Sequence, residues 1–194
     1  MKSIAIIYGS STGNTKYAAQ LVAEKLAGYS PVLKDLADIS SEDFLEPDVL
    51  ILGCPTWSIG ELQDDWDTFF PQISKLDLKG KTVAFFGQGD CEGYPDTFAD
   101  ALGILYDEFA KTGCNFIGEV STDGYTFDDS QALRNGVFIG LPLDEDNESD
   151  KTDSRVSTWV NSLKPYLDRF SNNDRMILSE NRPIKVLIKD SSLF

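Results

Sequence analysis

Histidine is absent from all 194 residues, which removes the commonest general acid–base and the commonest metal ligand. Neither a His-containing hydrolytic triad nor a His-based metal site can be built from this chain. Cysteine is scarce, and Cys54, Cys91 and Cys114 stand in no Cys-x-x-Cys spacing. An odd, sparse set with no signal peptide is the pattern of a reduced chain, so a cytoplasmic protein without a bound metal is expected. Cys54 and Cys114 fall in or beside apolar runs and read as packing residues, whereas Cys91 reads as an exposed loop residue. Basic side chains are outnumbered, 17 Lys+Arg against 32 Asp+Glu, for a formal charge of −15. Nucleic acid is therefore not an expected partner. No run of about 18 apolar residues exists, so no membrane span is expected.

What the chain does have is concentrated first in residues 2–17. An apolar strand, Ile4-Ala5-Ile6-Ile7-Tyr8, runs into a loop of hydroxyls, glycines and an amide, with a helix to follow. Backbone N–H groups in a turn and at a helix N-terminus already favour an anion, and Ser10, Ser11, Thr12, Asn14 and Thr15 around Gly13 add side-chain donors. A P-loop would need Gly-x-x-x-x-Gly-Lys-Ser/Thr, whose Lys and metal handle a phosphate that is to be transferred. Neither feature is present, so a phosphate held here is an anchor rather than a reactant. Alone, the loop fits a Ser/Thr-rich turn capping an ordinary helix equally well.

Along the rest of the chain, apolar runs of strand length alternate with segments of helical period. Strands are predicted near 3–8, 31–36, 48–54, 82–88 and 115–119, the last resuming at 137–141. Helices fit the gaps near 13–27, 63–73, 97–112 and 152–169, the last capped by Asp150 or Thr152. Strands joined by helices imply a parallel, doubly wound α/β sheet whose ligand lies beyond the carboxyl ends of the strands. The loops after residues 8, 54 and 88 are where chemistry belongs. Two of them carry one large aromatic each on a glycine-flanked turn: Pro55-Thr56-Trp57-Ser58-Ile59-Gly60, and Gly87-Gln88-Gly89-Asp90 followed by Gly93-Tyr94-Pro95. Either ring alone fits a lid over the core. Together, beside a phosphate cradle, they read as the walls of a slot for a flat conjugated ring.

Residues 10–15, the stretch 55–62, and Gly87 to Asp90 with Gly93-Tyr94-Pro95 resemble the three FMN-binding loops of flavodoxins. Gly124-Tyr125-Thr126-Phe127 and residues 140–147 are similar to the segment that interrupts the last strand in the long-chain branch of that family. The resemblance runs from residue 1 to about 170. It implies a five-stranded parallel sheet of order 2-1-3-4-5 with helices on both faces and FMN at the switch point. By the same resemblance Ser10, Ser11, Thr12, Gly13, Asn14 and Thr15 would hold the phosphate, and Trp57 and Tyr94 would flank the isoalloxazine. Gly87, Gln88, Gly89 and Asp90 would meet its pyrimidine edge, Thr56 and Asp146 would reach the ribityl chain, and Pro55 belongs to the same cofactor-binding set. The Ser58-Ile59 peptide, next to Gly60, lies where flavodoxins present a carbonyl to flavin N5 in the one-electron-reduced state. Cys91 and Glu92 depart from the family's usual amide and apolar residue, which bears on tuning of the flavin rather than on its binding.

The function so implied is one-electron transfer, with FMN shuttling between semiquinone and hydroquinone. Nine acids between residues 61 and 100, at 61, 64, 65, 67, 77, 90, 92, 96 and 100, oppose three lysines. Such a field steers basic partners and disfavours a second electron on the ring. The resemblance suggests a monomer whose partners are ferredoxin-NADP reductase, pyruvate-flavodoxin oxidoreductase, photosystem I or nitrogenase reductase. The alternative on the same fold is an NAD(P)H-dependent quinone or flavin reductase, against which stands the lack of a second nucleotide motif. A phosphoacceptor receiver would need an Asp after the third strand, where Gly53-Cys54-Pro55 stands. Residues 1–170 form one domain in this reading, and residues 171–194 are an extension, either a mobile tail or a strap on the acidic body.

Overall fold

The computed structural model describes residues 2–168, so the extension read at 171–194 lies outside the described residues. Three strands form the middle of the sheet: β1 (Ile4–Tyr8), β3 (Val49–Gly53) and β6 (Thr82–Gln88). Every residue in them is buried, as expected of parallel strands covered on both faces. β2 (Val32–Asp35) flanks β1. On the other side β6 pairs with β7 (Asn115–Phe116) near its start and with β11 (Leu141–Leu143) near its end. The order β2-β1-β3-β6-β7/β11 is the expected 2-1-3-4-5 with a divided fifth strand.

Strand alternation sends side chains to two separate cores. Ile4, Ile6 and Tyr8 face α1 (Asn14–Lys25) and α5 (Ser149–Leu167), where Ala18, Val22, Val156, Trp159 and Val160 are buried. Ala5 and Ile7 face α3 (Asp64–Ile73) and α4 (Asp100–Phe109), beside a short helix α2 (Glu42–Leu45) that contributes Phe44. Phe44 stacks on Phe69 at 4.7 Å, and Trp66 meets Phe109 edge-on at 6.4 Å.

Three sequence expectations need correction. The fifth strand resumes at Leu141, not at 137: Val137–Phe138 (β10) instead pairs antiparallel with Val120–Ser121 (β8) and Leu133–Arg134 (β9). That small sheet is the inserted segment, and its own aromatic cluster of Tyr125, Phe127 and Phe138 closes over Phe98. The helix expected over 97–112 is broken before Asp100, because Ala99 sits at φ 58 and starts the helix afresh. The last helix begins at Ser149, and neither Asp150 nor Thr152 caps it. The chain is already turned by the Glu148 N–H bond to Asp144 O at 2.9 Å, while the Glu148 carboxylate pairs with Lys151 and Arg155.

Candidate functional site

The loop after β1 is shaped from within and from below. Ser10 Oγ accepts the N–H groups of Gly13 (3.2 Å) and Lys16 (3.3 Å), and Gly13, at φ 102, turns the chain into α1. Asn14 and Thr15 then donate their backbone N–H to no acceptor among the described residues. These open donors at a helix N-terminus, with hydroxyls at Ser11, Thr12 and Thr15, form an anion cradle. Gln63, buried and at the N-cap of α3, donates through Nε2 to Ser11 Oγ at 3.3 Å, which leaves the Ser11 O–H free to point into the cradle. Gly9 has to be glycine here, since a Cβ would come within 2.7 Å of the Trp66 ring beneath it. Trp66 is held in turn by its Nε1–H bond to Gly53 O at 2.8 Å.

The second loop is a hairpin of β4 (Thr56–Trp57) and β5 (Glu61–Leu62), with Ser58-Ile59-Gly60 at its tip. Ser58 and Gly60 both take positive φ, 46 and 83. Thr56 Oγ1 accepts the Ala101 N–H at 3.1 Å, so the hairpin is docked on the first turn of α4. Gly60 rests on the buried Asp100 carboxylate, and a Cβ there would lie 2.7 Å from Asp100 Oδ2.

The third loop is clasped to the chain following β11. Asp144, fully buried, accepts the N–H of Cys91 (2.8 Å), the N–H of Asn147 (3.0 Å) and Asn147 Nδ2 (2.9 Å). Burial alone would raise the Asp144 pKa; the hydrogen bonds from Asn147 and Cys91 outweigh it and hold the carboxyl below its usual range. Asp90 shapes the tip by accepting from Gly93 N (2.7 Å), Glu92 N (3.2 Å) and Asn147 Nδ2 (2.9 Å). Gln88 joins the first and last loops, accepting from Glu145 N at 3.2 Å and donating to Asn14 O at 3.4 Å. Cys91 is half-buried rather than exposed, and its thiol is pushed up to about 12 by burial and by the Asp144 carboxylate. It is not a reactive thiolate at neutral pH.

The three loops enclose one cavity of about 610 Å³ at the carboxyl edge of the sheet. Ser10, Ser11, Thr12, Asn14 and Thr15 line it from the first loop, Pro55, Thr56, Trp57 and Ser58 from the second, and Gln88, Gly89, Asp90 and Tyr94 from the third, with Asp146 joined to Asn14 Nδ2 at 3.3 Å. Of the residues assigned from sequence, Gly13, Ile59, Gly60 and Gly87 are not part of this lining. Gly13 and Gly60 shape turns behind it, Gly87 is inside β6 against Cys54 O, and Ile59 is 78% exposed at the hairpin tip. Trp57 and Tyr94 remain 38% and 46% exposed, and neither packs on another aromatic ring among the described residues. They are rim residues, not lids over the core. Sequence reasoning missed the supporting residues Gln63, Asp100, Asp144 and Asn147. An Asp at the end of an apolar strand run, as in Leu141-Pro142-Leu143-Asp144, was the one local signal for any of them. Asp100 also leaves the expected surface field, since it is buried under Gly60 and bonded to Gln131.

A doubly wound parallel sheet with a cavity at its switch point, an anion cradle lining it and two unpacked aromatics at the rim defines a class of nucleotide-type ligand site. The family model described as Flavodoxin matches residues 6–159. A flavodoxin of Synechocystis is 46% identical over 168 residues, covering 86% of this chain and 99% of that protein. A Klebsiella pneumoniae flavodoxin is 42% identical over 168 residues, covering 86% and 96%. The crystal structure of Fusobacterium nucleatum flavodoxin bound to flavin mononucleotide superposes with a TM-score of 0.81 at 30% identity, over 86% of this chain and 99% of that one. The chain belongs to the flavodoxin family.

Proposed function

We propose that this chain holds one FMN in the cavity and carries single electrons at low potential between redox proteins, acting as a carrier rather than an enzyme. The observation that supports it most is the convergence of three loops, distant in sequence, on a single cavity lined both by the residues with open N–H donors and by two exposed aromatics. The residues fit the group. Ser10, Ser11, Thr12, Asn14 and Thr15 hold the phosphate with neutral donors and the α1 N-terminus, without a cation. Thr56 and Asp146 take the ribityl hydroxyls, Trp57 and Tyr94 flank the ring, and the Gln88–Asp90 segment meets its pyrimidine edge. The peptide joining Ser58 to Ile59 would supply a carbonyl acceptor for the ring's N5 when that nitrogen carries a proton. FMN, when bound, supplies one-electron chemistry that no side chain of this protein provides.

The remaining work belongs to the protein. Glu61, Asp64, Asp65 and Asp67 bring negative charge to the hairpin and the start of α3, beside the rim. This field opposes added negative charge on the ring, which keeps the potential low, and it attracts basic partner surfaces. Ferredoxin-NADP reductase, pyruvate-flavodoxin oxidoreductase, photosystem I and nitrogenase reductase are candidate partners of this kind. Incubating the FMN-loaded protein with NADPH tests the reading: no bleaching is expected until a reductase is added. Direct bleaching by NADPH alone would overturn it in favour of an NAD(P)H-dependent quinone or flavin reductase.

A further inference from the structure

The two rim aromatics share one footing. Tyr94 leads directly into a single turn at Pro95–Thr97, and α4 starts shortly after it at Asp100. The hairpin that bears Trp57 is seated on that start: Thr56 Oγ1 accepts the Ala101 N–H at 3.1 Å, and Gly60 lies against Asp100 Oδ2, to which a Cβ would come within 2.7 Å. Residues 95–101 therefore carry both Trp57 and Tyr94.

That footing is held from outside. Ala99 takes φ 58, a left-handed conformation that a residue with a Cβ keeps only where its surroundings impose it. Those surroundings include residues 128–131 of the inserted segment. Pro95 O accepts the N–H groups of Asp128 at 2.9 Å and Asp129 at 3.1 Å, Phe98 N–H donates to Asp129 O at 3.3 Å, and Ser130 Oγ donates to Phe98 O. Gln131 completes the grip: its backbone N–H donates to Asp100 Oδ1 and its Nε2 to Asp100 Oδ2, both at 2.7 Å. Asp100 is 2% exposed and forms no ion pair among the described residues, so these bonds and the start of α4 answer its charge. Gln131 is itself exposed, yet its backbone is pressed on α4, where a Cβ on Gly103 would lie 2.0 Å from Gln131 O. It lines no part of the ligand cavity.

We infer, on the reading of the cavity as an FMN site, that Gln131 is a positioning residue for the flavin ring: through the Asp100 carboxylate it fixes the hairpin that carries Trp57, and with residues 128–130 it holds the connection that follows Tyr94. The inserted segment then places both aromatics without lining the cavity. A residue acting in this way governs the grip on the ring. It leaves the phosphate cradle, which is braced by Ser10 and Gln63, as it is.

Gln131→Ala in the full-length chain tests this, since it keeps the backbone bond and removes only the amide that grips Asp100. In the ligand-free protein the amides of residues 56–62 are expected to exchange at least about ten-fold faster, while those of residues 10–13, β1 and β3 stay unchanged. Affinities for FMN and for riboflavin are expected to fall by the same factor, at least about five-fold, because both carry the ring and only one carries the phosphate. In Asp100→Asn the Gln131 amide already faces another N–H₂, so adding Gln131→Ala there should lower affinity little further. Unchanged exchange at residues 56–62 would overturn the brace. Faster exchange with unchanged affinities would overturn the positioning role, a larger loss for FMN than for riboflavin would move the effect to the cradle and refute it, and additive losses in the double variant would refute action through Asp100. An unmodified chain that binds neither flavin would overturn the FMN reading and this role together, whereas failure at residues 56–62 alone would leave FMN binding standing.

Discussion

Removing the Asp144 carboxylate should loosen one wall of the site and cost measurable stability. Three N–H bonds converge on it, from Cys91 and twice from Asn147, at 2.8 to 3.0 Å, and the group is fully buried. A hydrogen bond to a charged partner contributes about 1.5–3 kcal/mol net, but burying the carboxylate offsets part of that sum, and Asn147 can regain water once released. Asp144→Ala is thus expected to lose about 2–4 kcal/mol, a large share of the ~5–15 kcal/mol typical of a domain. Asp144→Asn should lose nearly as much, because its amide N–H₂ faces donors. Urea unfolding of the apoprotein measures both, and a loss below about 0.5 kcal/mol in each would refute the clasp. The pH dependence gives a second test. The folded-state pKa is depressed, so the contribution is fully present above the unfolded value near ~3.9 and is lost as pH falls through the folded value. The advantage of the unmodified protein over Asp144→Asn should be flat from about pH 5 to 8 and shrink below about pH 4. A change between pH 5 and 8 would mean that another group is responsible.

Other outcomes follow from the same geometry. Trp57→Ala or Tyr94→Ala should each weaken FMN binding by about 1–3 kcal/mol, by analogy with bases stacked on aromatic rings; titration of the apoprotein decides it, and unchanged affinity in both would leave these rings without a ligand role. Replacing Thr12 and Thr15 with Ala should lower affinity for FMN far more than for riboflavin, which lacks the phosphate, and equal losses would point to damage to the fold. Gly60→Ala should cost about 1–3 kcal/mol in thermal or urea unfolding, since φ 83 and the Asp100 carboxylate both oppose a Cβ. A neutral Gly60→Ala would show that the hairpin tip is free to move off α4.

The parts of this protein that sequence discloses are those governed by neighbours in the chain. β1, β3 and β6 are unbroken apolar runs, and each cradle or hairpin residue sits within a few positions of the strand that delivers it. The 10–15 cradle and the two rim aromatics are readable in this way, and the resemblance to the FMN-binding loops names the rest of the fourteen residues that line the cavity. Where the determinant is distant, sequence is silent. The bond from Cys91 to Asp144 spans 53 positions and that from Gln63 to Ser11 spans 52, and no local pattern announces either. The two-residue strands of the insert are too short for any period, so Val137–Phe138 looked like the fifth strand because it is apolar and precedes the true one.

What was hidden is also what makes the site work as a ready-made cavity. Each ligand-facing loop is fixed by a polar group behind it: Gln63 behind Ser11, Ala101 N–H behind Thr56, Asp144 and Gln88 behind the Asp90 loop. These partners satisfy buried donors and acceptors whether or not a ligand is present, so the loops are ordered in advance. Binding then avoids the cost of about 0.5–1.5 kcal/mol for each side chain that would otherwise be immobilised at the site. Changes at the supporting residues should therefore act on ligand affinity through disorder of the loops, whereas changes at Trp57, Tyr94, Thr12 and Thr15 should act through lost contacts with the loops intact. The two kinds separate experimentally: only the first should accelerate amide exchange in the ligand-free loops, at residues 10–13 and 88–94.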